Sequence, residues 1–402
     1  MFVTRLDMSW LDSPFLSHSR AIKDPADIRA LREAGVKSLT IDLSRGVDVE
    51  PLAAVAPVPP PTQTPGPARP IEPPQDLPPP AASVSIEREL RVAFQLRSKI
   101  KKAVENVTRA LETGTQVDVG ELVPLVDSTL DSLERNDQAL MSLVHLSRKT
   151  QRLTDHVFGT FCLVLNLALQ RKISDTEREQ LGLAALLHEA GWTQLPINLI
   201  GKRSRYTAVE RRLVHKHTLI GNQILESSDL PELTRRVVAE HHELLDGSGY
   251  PAGLRGDQIH PLSQLLTVVD VYEERVHQLT DEPGMIPTNA LRSLYRDAER
   301  GVFSADAAAA LISLLGIYPP TTAVLLNSGE RAVIKEHYVD APLQPRVVIY
   351  YGADGTPLDS PLDVDLRQAT ELPRMIECAL DLTAPGNEQW RRLLIAEEDL
   401  GG

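Results

Sequence analysis

Two adjacent imidazoles, His241 and His242, follow the apolar segment Arg236 to Glu240 and open the stretch His241-His242-Glu243-Leu244-Leu245-Asp246-Gly247-Ser248-Gly249-Tyr250-Pro251. Neutral imidazoles held side by side are natural ligands for a transition metal. The plainer alternative is a pair of surface histidines beside a loop. The Asp-Gly-Ser-Gly that follows forces a tight turn, because glycine tolerates backbone angles other residues avoid. Pro251 then fixes the exit from that turn.

Of the 11 histidines, three more stand upstream at His156, His188 and His217, and an acid follows at Asp270 inside the apolar run Leu265 to Tyr272. The order His…His-Glu…His…His-His…Asp resembles the HD-GYP family, bacterial phosphodiesterases of cyclic di-GMP within the HD metal-dependent phosphohydrolases. The eleven-residue stretch matches that family's HHExxDGxGYP pattern at every fixed position. The resemblance covers residues 140–350 well, and more weakly the small N-terminal domain that often precedes such a module.

That resemblance implies a fold and a site. The fold expected is mainly α: an HD-type helical module with a small C-terminal β-appendage and a small α+β N-terminal domain. His156, His188 and Asp270 would form one half of a metal site, and His217, His241 and His242 the other, with Glu189 at the position of the bridging acid. His188 and Glu189 would then be the catalytic dyad. His217 competes for its place with His215, and Gly221 four residues later favours His217. Hydrolysing a phosphodiester needs a strong nucleophile at neutral pH and compensation for developing negative charge, which two divalent metals supply. Nitrogen and oxygen ligands favour Fe or Mn over Zn, which more often takes thiolates or a four-coordinate shell. The loop Asp246, Gly249, Tyr250 and Pro251 is linked in this family to contacts with diguanylate cyclase domains. Lys202 lies in a loop where the family also has lysine, and a solvated surface charge is the equal alternative.

Four departures from the pattern bear on turnover. The family's Asp-x-Gly-Lys becomes Glu189-Ala190-Gly191-Trp192, so a cation placed to meet phosphate is missing and the acid is one methylene longer. Arg152 stands where some members carry a glutamate for a third metal, so at most two metals are expected. Asp-x-Tyr-Asp-Ala becomes Asp270-Val271-Tyr272-Glu273-Glu274, and a basic stretch is replaced by Leu279-Thr280-Asp281-Glu282-Pro283. Two readings follow: a weakened cyclic di-GMP phosphodiesterase, or a scaffold that keeps metal and diguanylate cyclase partners without turnover.

Composition narrows the setting. A formal charge of −13 argues against a general binder of DNA or RNA, whose phosphate backbones demand a basic surface. Cys162 and Cys378 are the only cysteines, so a disulfide framework is not expected and the chain reads as cytoplasmic. No signal peptide and no membrane span are expected.

The organisation follows from pattern. Residues 1–50 suit a small regulatory domain, with a helix through Ile28 and Leu31 and a strand from Val36 to Leu43. Residues 51–84 form a linker, since 13 of the 30 prolines fall between 51 and 80. An SH3-type ligand is the other reading of that segment. Residues 85–147 carry two helical periodicities that could pack as a hairpin on the catalytic module or against a second protomer of a homodimer. Residues 148–318 form the module, with a single helix expected from Glu210 to Leu225, and 319–402 the appendage and tail.

Overall fold

The computed structural model describes residues 2–6, 20–22, 28–29, 31–32, 36–41 and 84 of a first unit, Met1–Val84, and most of a second, Ser85–Gly402: residues 85–147, 153–202, 206–277, 284–338, 341–368, 373–382, 384, 386–390 and 393. The turn expected at Met8 to Leu16, the proline-rich segment, Arg152, the acidic Leu279 to Pro283 and most of the C-terminal tail lie outside the described residues. In the first unit, β1 (Phe2–Leu6) pairs antiparallel with β2 (Arg20–Ala21) on one side and β3 (Leu39–Ile41) on the other.

The second unit begins with α1 (Ile86–Glu112) and α2 (Val119–Ser147), and at its centre runs α3 (Leu153–Gln170). Every residue of α3 from Asp155 to Ala168 is buried, because α1, α2, α4 (Asp175–Leu187) and α8 (Pro261–Val276) pack around it. By length and composition alone α3 could cross a membrane, yet it carries Asp155, His156 and Asn166 and is a helix of the protein core. An apolar helix packed on all sides needs no polar face.

α1 starts after Ser85, and Gly114, at φ +71°, lies in the turn to α2. α2 is interrupted at Asn136, whose φ of −167° and ψ of 100° are extended. One continuous hydrophobic core runs from Ala93 in α1 to Leu315 in α10 (Ala305–Leu315), so the two-helix segment packs on the module. Between α4 and α8 lie α5 (Ala208–Val214), α6 (His217–Leu225) and α7 (Glu232–Glu240). α9 (Pro287–Glu299) and α10 follow α8.

The single helix expected from Glu210 to Leu225 is two, α5 and α6, parted at His215 and Lys216. The start of α6 is packed tightly against the turn that follows α4. Gly191 approaches the backbone of His217 so closely that a Cβ on it would lie 1.9 Å from the His217 carbonyl oxygen.

After Gly316 (φ +74°), the chain forms a five-stranded antiparallel sheet of β4 (Ala323–Leu326), β5 (Arg331–Glu336), β6 (Arg346–Tyr351), β7 (Pro357–Asp365) and β8 (Ile376–Ala379), in the order β7-β6-β5-β4-β8. Residues of β6 alternate between buried and half-buried, as a strand with one covered face requires. The fold is therefore mainly helical with a small C-terminal sheet, as expected.

Candidate metal centre

Five elements deliver the predicted ligands. His156 stands near the start of α3, and His188 and Glu189 follow the end of α4. His217 opens α6, His241 and His242 follow α7, and Asp270 lies in the middle of α8. The structure brings His156, His188 and Asp270 together in one group, and His217, His241 and His242 in another, the ligand atoms of each lying within 4.8 Å of one another.

Three of the histidines share one geometry. Nδ1 of His188, His217 and His241 lies 2.8, 2.8 and 2.6 Å from the carbonyl oxygens of Ala185, Val214 and Val238, each three residues upstream. A carbonyl oxygen only accepts, so each Nδ1 carries the proton and each Nε2 is left with a lone pair. Helix ends supply this arrangement without extra residues, because their last carbonyls lack helical partners.

Asp270 joins the halves on one side. Its Oδ1 accepts from His156 Nε2 at 3.0 Å and lies 3.4 Å from His188 Nε2, while Oδ2 lies 3.6 Å from His242 Nδ1. Glu189 joins them on the other, with Oε1 3.8 Å from His156 Nε2 and Oε2 3.4 Å from His217 Nε2. The longer glutamate reaches both because α4 ends at Leu187, so Glu189 has left the helix and starts the 3-10 turn Ala190–Gln194.

Burial sets the charges. It is the first cause that drives His241 down to about 3, with the neighbouring His188 and His217 adding to it. It also takes His242 well below its ordinary value. For Asp270, burial opposes charge, but His156 and His188 outweigh it and hold the carboxyl well below the usual range. For His188, burial is likewise overcome by Asp270 and Glu189, and its value rises. Burial thus favours neutral His241 and His242, while Asp270 is held ionised.

These donors fit divalent metal. Oδ2 of Asp270 is fully buried with no hydrogen-bond partner among the described residues, and it points toward the His242 side. Buried carboxylate oxygens without a partner are costly and call for a cation.

The eleven-residue stretch supports this centre from behind. The buried carboxylate of Glu243 accepts the backbone N–H groups of Ala252 at 2.6 Å and Leu254 at 2.9 Å. Asp246 Oδ1 accepts from the backbone and hydroxyl of Ser248. Tyr250 N–H donates to the His242 carbonyl at 3.0 Å, and the peptide before Pro251 is cis. A Cβ at Gly249 would lie 2.3 Å from the Leu244 nitrogen, so only glycine fits there. The ring of Tyr250 stacks on His215 at 3.8 Å and sits 4.8 Å from that of His242. His215 is thereby the partner of the loop, and His217 belongs to the ligand cluster.

Trp192 is buried and stacks on His217 at 5.5 Å. Lys202 is exposed and paired with Glu210 at 2.7 Å. A cavity of about 460 Å³ reaches Glu189 and Trp192, with Val104, Thr108 and Leu111 of α1 and Val157 of α3 among its walls.

Some neighbours of the centre carry no motif. His277 is buried with its ring 6.0 Å from and edge-on to that of His156. Glu240 accepts from the backbone of His260 and the hydroxyl of Ser263, which ties the end of α7 to the start of α8. Glu274 lies with His242 and Asp270, all three within ligand range of one another. Its position one helical turn after Asp270 was the available signal.

The chain is similar to known proteins along most of its length. The HD domain family matches residues 136–305, and a domain of unknown function, DUF3391, matches residues 1–122. Cyclic di-GMP phosphodiesterase PA4108 of Pseudomonas aeruginosa is 34% identical over 382 residues, spanning 94% of this chain and 88% of that protein. The chain belongs to the HD-GYP family. Another relative, 3'3'-cGAMP-specific phosphodiesterase 3 of Vibrio cholerae, is 28% identical over 41% of this chain and 36% of its own length. The solved structure of Bd1817, a HDG"Y"P protein from Bdellovibrio bacteriovorus, is 21% identical and covers 56% of this chain and 72% of its own, with a TM-score of 0.47.

Proposed function

We propose that this protein is a metal-dependent phosphodiesterase that opens cyclic di-GMP, acting in the cytoplasm in bacterial second-messenger signalling. The observation that carries this reading is the pair of three-residue ligand groups joined by Glu189 and Asp270. The relationship to PA4108 along nearly the whole chain supports the substrate.

Two divalent ions, Fe or Mn, fit the donor set, His156, His188 and Asp270 holding one, His217, His241 and His242 the other, with Glu189 between them. When bound, such ions favour attack by water and offset charge building on the phosphodiester. The chain's own part is positional. Ala185, Val214 and Val238 keep three Nδ1 protons in place, so every lone pair faces inward. Glu189 lines the cavity of about 460 Å³ and would meet a substrate entering there, with His188 next to it in the chain as the other member of the dyad. Trp192 shields His217 there and contributes an aromatic face where the family places a lysine, so the phosphate meets one fixed cation fewer and turnover is slow.

The loop of Asp246, Gly249, Tyr250 and Pro251 buttresses His242 and offers its outer side to a diguanylate cyclase domain, while Lys202 serves the neighbouring surface. A scaffold without turnover is the less favoured reading. Incubating the metal-loaded full chain with cyclic di-GMP and following linear dinucleotide and GMP decides between them. Hydrolysis that disappears in His188→Ala and Glu189→Ala supports the enzyme. Intact substrate after prolonged incubation of protein with both metals bound rejects it.

A further inference from the structure

The first turn of α3 carries an acid, Asp155, whose side chain is fully buried. A helix start favours an acid, but an exposed one serves that purpose as well. Two cations of α1 meet it. Nζ of Lys101 lies 2.7 Å from Asp155 Oδ1, and the guanidinium of Arg97, one turn earlier, lies 3.4 Å from the same oxygen. Arg97 also stands over the ring of Phe158, 5.9 Å from its centroid. Taking such charges out of water is costly, and apolar residues of similar size often hold a core as well or better. The pair is therefore explained by what it selects rather than by stability alone.

What it selects is the register of α1. The buried residues Ala93, Leu96, Ile100, Val104 and Leu111, with half-buried Val107, form an apolar stripe that would pack similarly after a slide of one turn, about 5.4 Å. The charges would not. A slide one way puts Ala93 in the place of Arg97, and a slide the other way brings Glu105 to the place of Lys101, against the buried carboxylate. Glu89 of α1 accepts from Ser132 at 2.7 Å and Arg135 at 2.8 Å, so α1 is tied to the part of α2 that precedes its break at Asn136. Asp155 ties that assembly to α3.

The cavity that reaches Glu189 lies between the same two helices. Past Lys101, α1 supplies Val104, Thr108 and Leu111 to its wall, and α3 faces them with Thr154 and Val157, which flank Asp155. We propose that Asp155 is a positioning residue for substrate: gripped by Lys101 and Arg97, it sets the register of α1 on α3 and with it the shape of this cavity. The proposal rests on the phosphodiesterase reading above and names the element that shapes its substrate path.

The test removes the pair without leaving a lone buried charge: Asp155→Leu together with Lys101→Met, in the metal-loaded full chain. Thermal stability and metal content should stay at the wild-type level. The dissociation constant for cyclic di-GMP and KM should rise at least about tenfold, with kcat changed by less than about threefold. Lys101→Arg, which keeps a cation opposite Asp155, should bind within about threefold of wild type. Wild-type affinity in the folded double variant overturns the proposal. So does weak binding accompanied by loss of metal, since Asp155 would then act on its neighbour His156 and not on α1. If the double variant does not fold, the dissociation constant of Lys101→Met against that of Lys101→Arg decides, and equal values overturn the proposal. Metal-loaded wild type that does not bind cyclic di-GMP rejects the phosphodiesterase reading itself, which separates the two failures.

Discussion

Nε2 of His217 and Nε2 of His241 face each other at 3.3 Å, and both rings have already committed their Nδ1 protons to backbone carbonyls. Two lone pairs at this distance repel unless a proton or a cation lies between them. A proton is disfavoured, because burial holds His241 down to about 3. The pair is thus a place built for a positive ion, and without one it stores repulsion in the core.

Removing metal should consequently destabilise the fold. With free metal at a hundredfold its dissociation constant, binding to the native state adds about 2.7 kcal/mol. Calorimetry with and without a chelator checks this: the chelated protein unfolds several degrees lower, and Mn²⁺ restores the transition. Identical transitions would mean that the centre holds no metal in the native state.

Gly191→Ala should be among the most damaging small substitutions in the chain. Its methyl group would meet the His217 carbonyl oxygen at 1.9 Å, and backbone cannot yield as a side chain can. Over-packing of this kind costs about 1–3 kcal/mol and occasionally more. The variant should also bind less metal, because relief of the clash moves His217.

Glu243 offers a test of the loop. Glu243→Ala leaves the N–H groups of Ala252 and Leu254 without their acceptor, at about 1–3 kcal/mol for each that stays buried. Glu243→Gln keeps one acceptor oxygen and should lose roughly half as much. Hydrogen exchange at Ala252 and Leu254 reports this directly, with fast exchange in the alanine variant and slower exchange in the glutamine variant.

Stability of the metal-free protein should depend on acid pH through His241. Its folded value, about 3, lies below the ordinary 6.5, so between these the unfolded chain binds a proton that the native state refuses. Stability is then fully present above about 6.5 and is lost as pH falls toward 3. His188 is raised and acts in the opposite sense, its contribution present below its ordinary value and fading as pH rises past its folded one. The comparison that isolates His241 is wild type against His241→Asn by urea unfolding from pH 7 to 4. The variant should show the flatter curve, and equal slopes would contradict the assignment.

How much of this was legible in the sequence depended on the kind of signal. Ligand order was readable because each histidine follows or opens an apolar helical run, and His241-His242 sits beside a turn whose glycines have only one use. The split between α5 and α6 was not readable. The apolar periodicity runs on through His215 and Lys216, and Gly191, which packs on the His217 backbone, lies 26 residues earlier in the chain, where a local window carries no trace of it. Glu243 was visible as part of the pattern, but its role was hidden, since both its partners are backbone groups and any residue type could supply them. The same holds for His277, which touches His156 only once α8 lies along α3. Glu189 looked too long for its position by residue type alone. Its fit comes from where α4 stops, and no local residue announces that stop.

The ligands enter from α3, the ends of α4 and α7, the start of α6 and the middle of α8, and His156 and Asp270 are 114 residues apart in the chain. An unfolded chain therefore has no metal site to offer, because bringing such distant residues together first would carry a large loop-closure cost with nothing yet to offset it. Metal loading becomes a late event in the protein's life, after the helices have packed. A cell short of metal would then accumulate chains that are folded but empty, ready to be switched on by metal supply without any new synthesis.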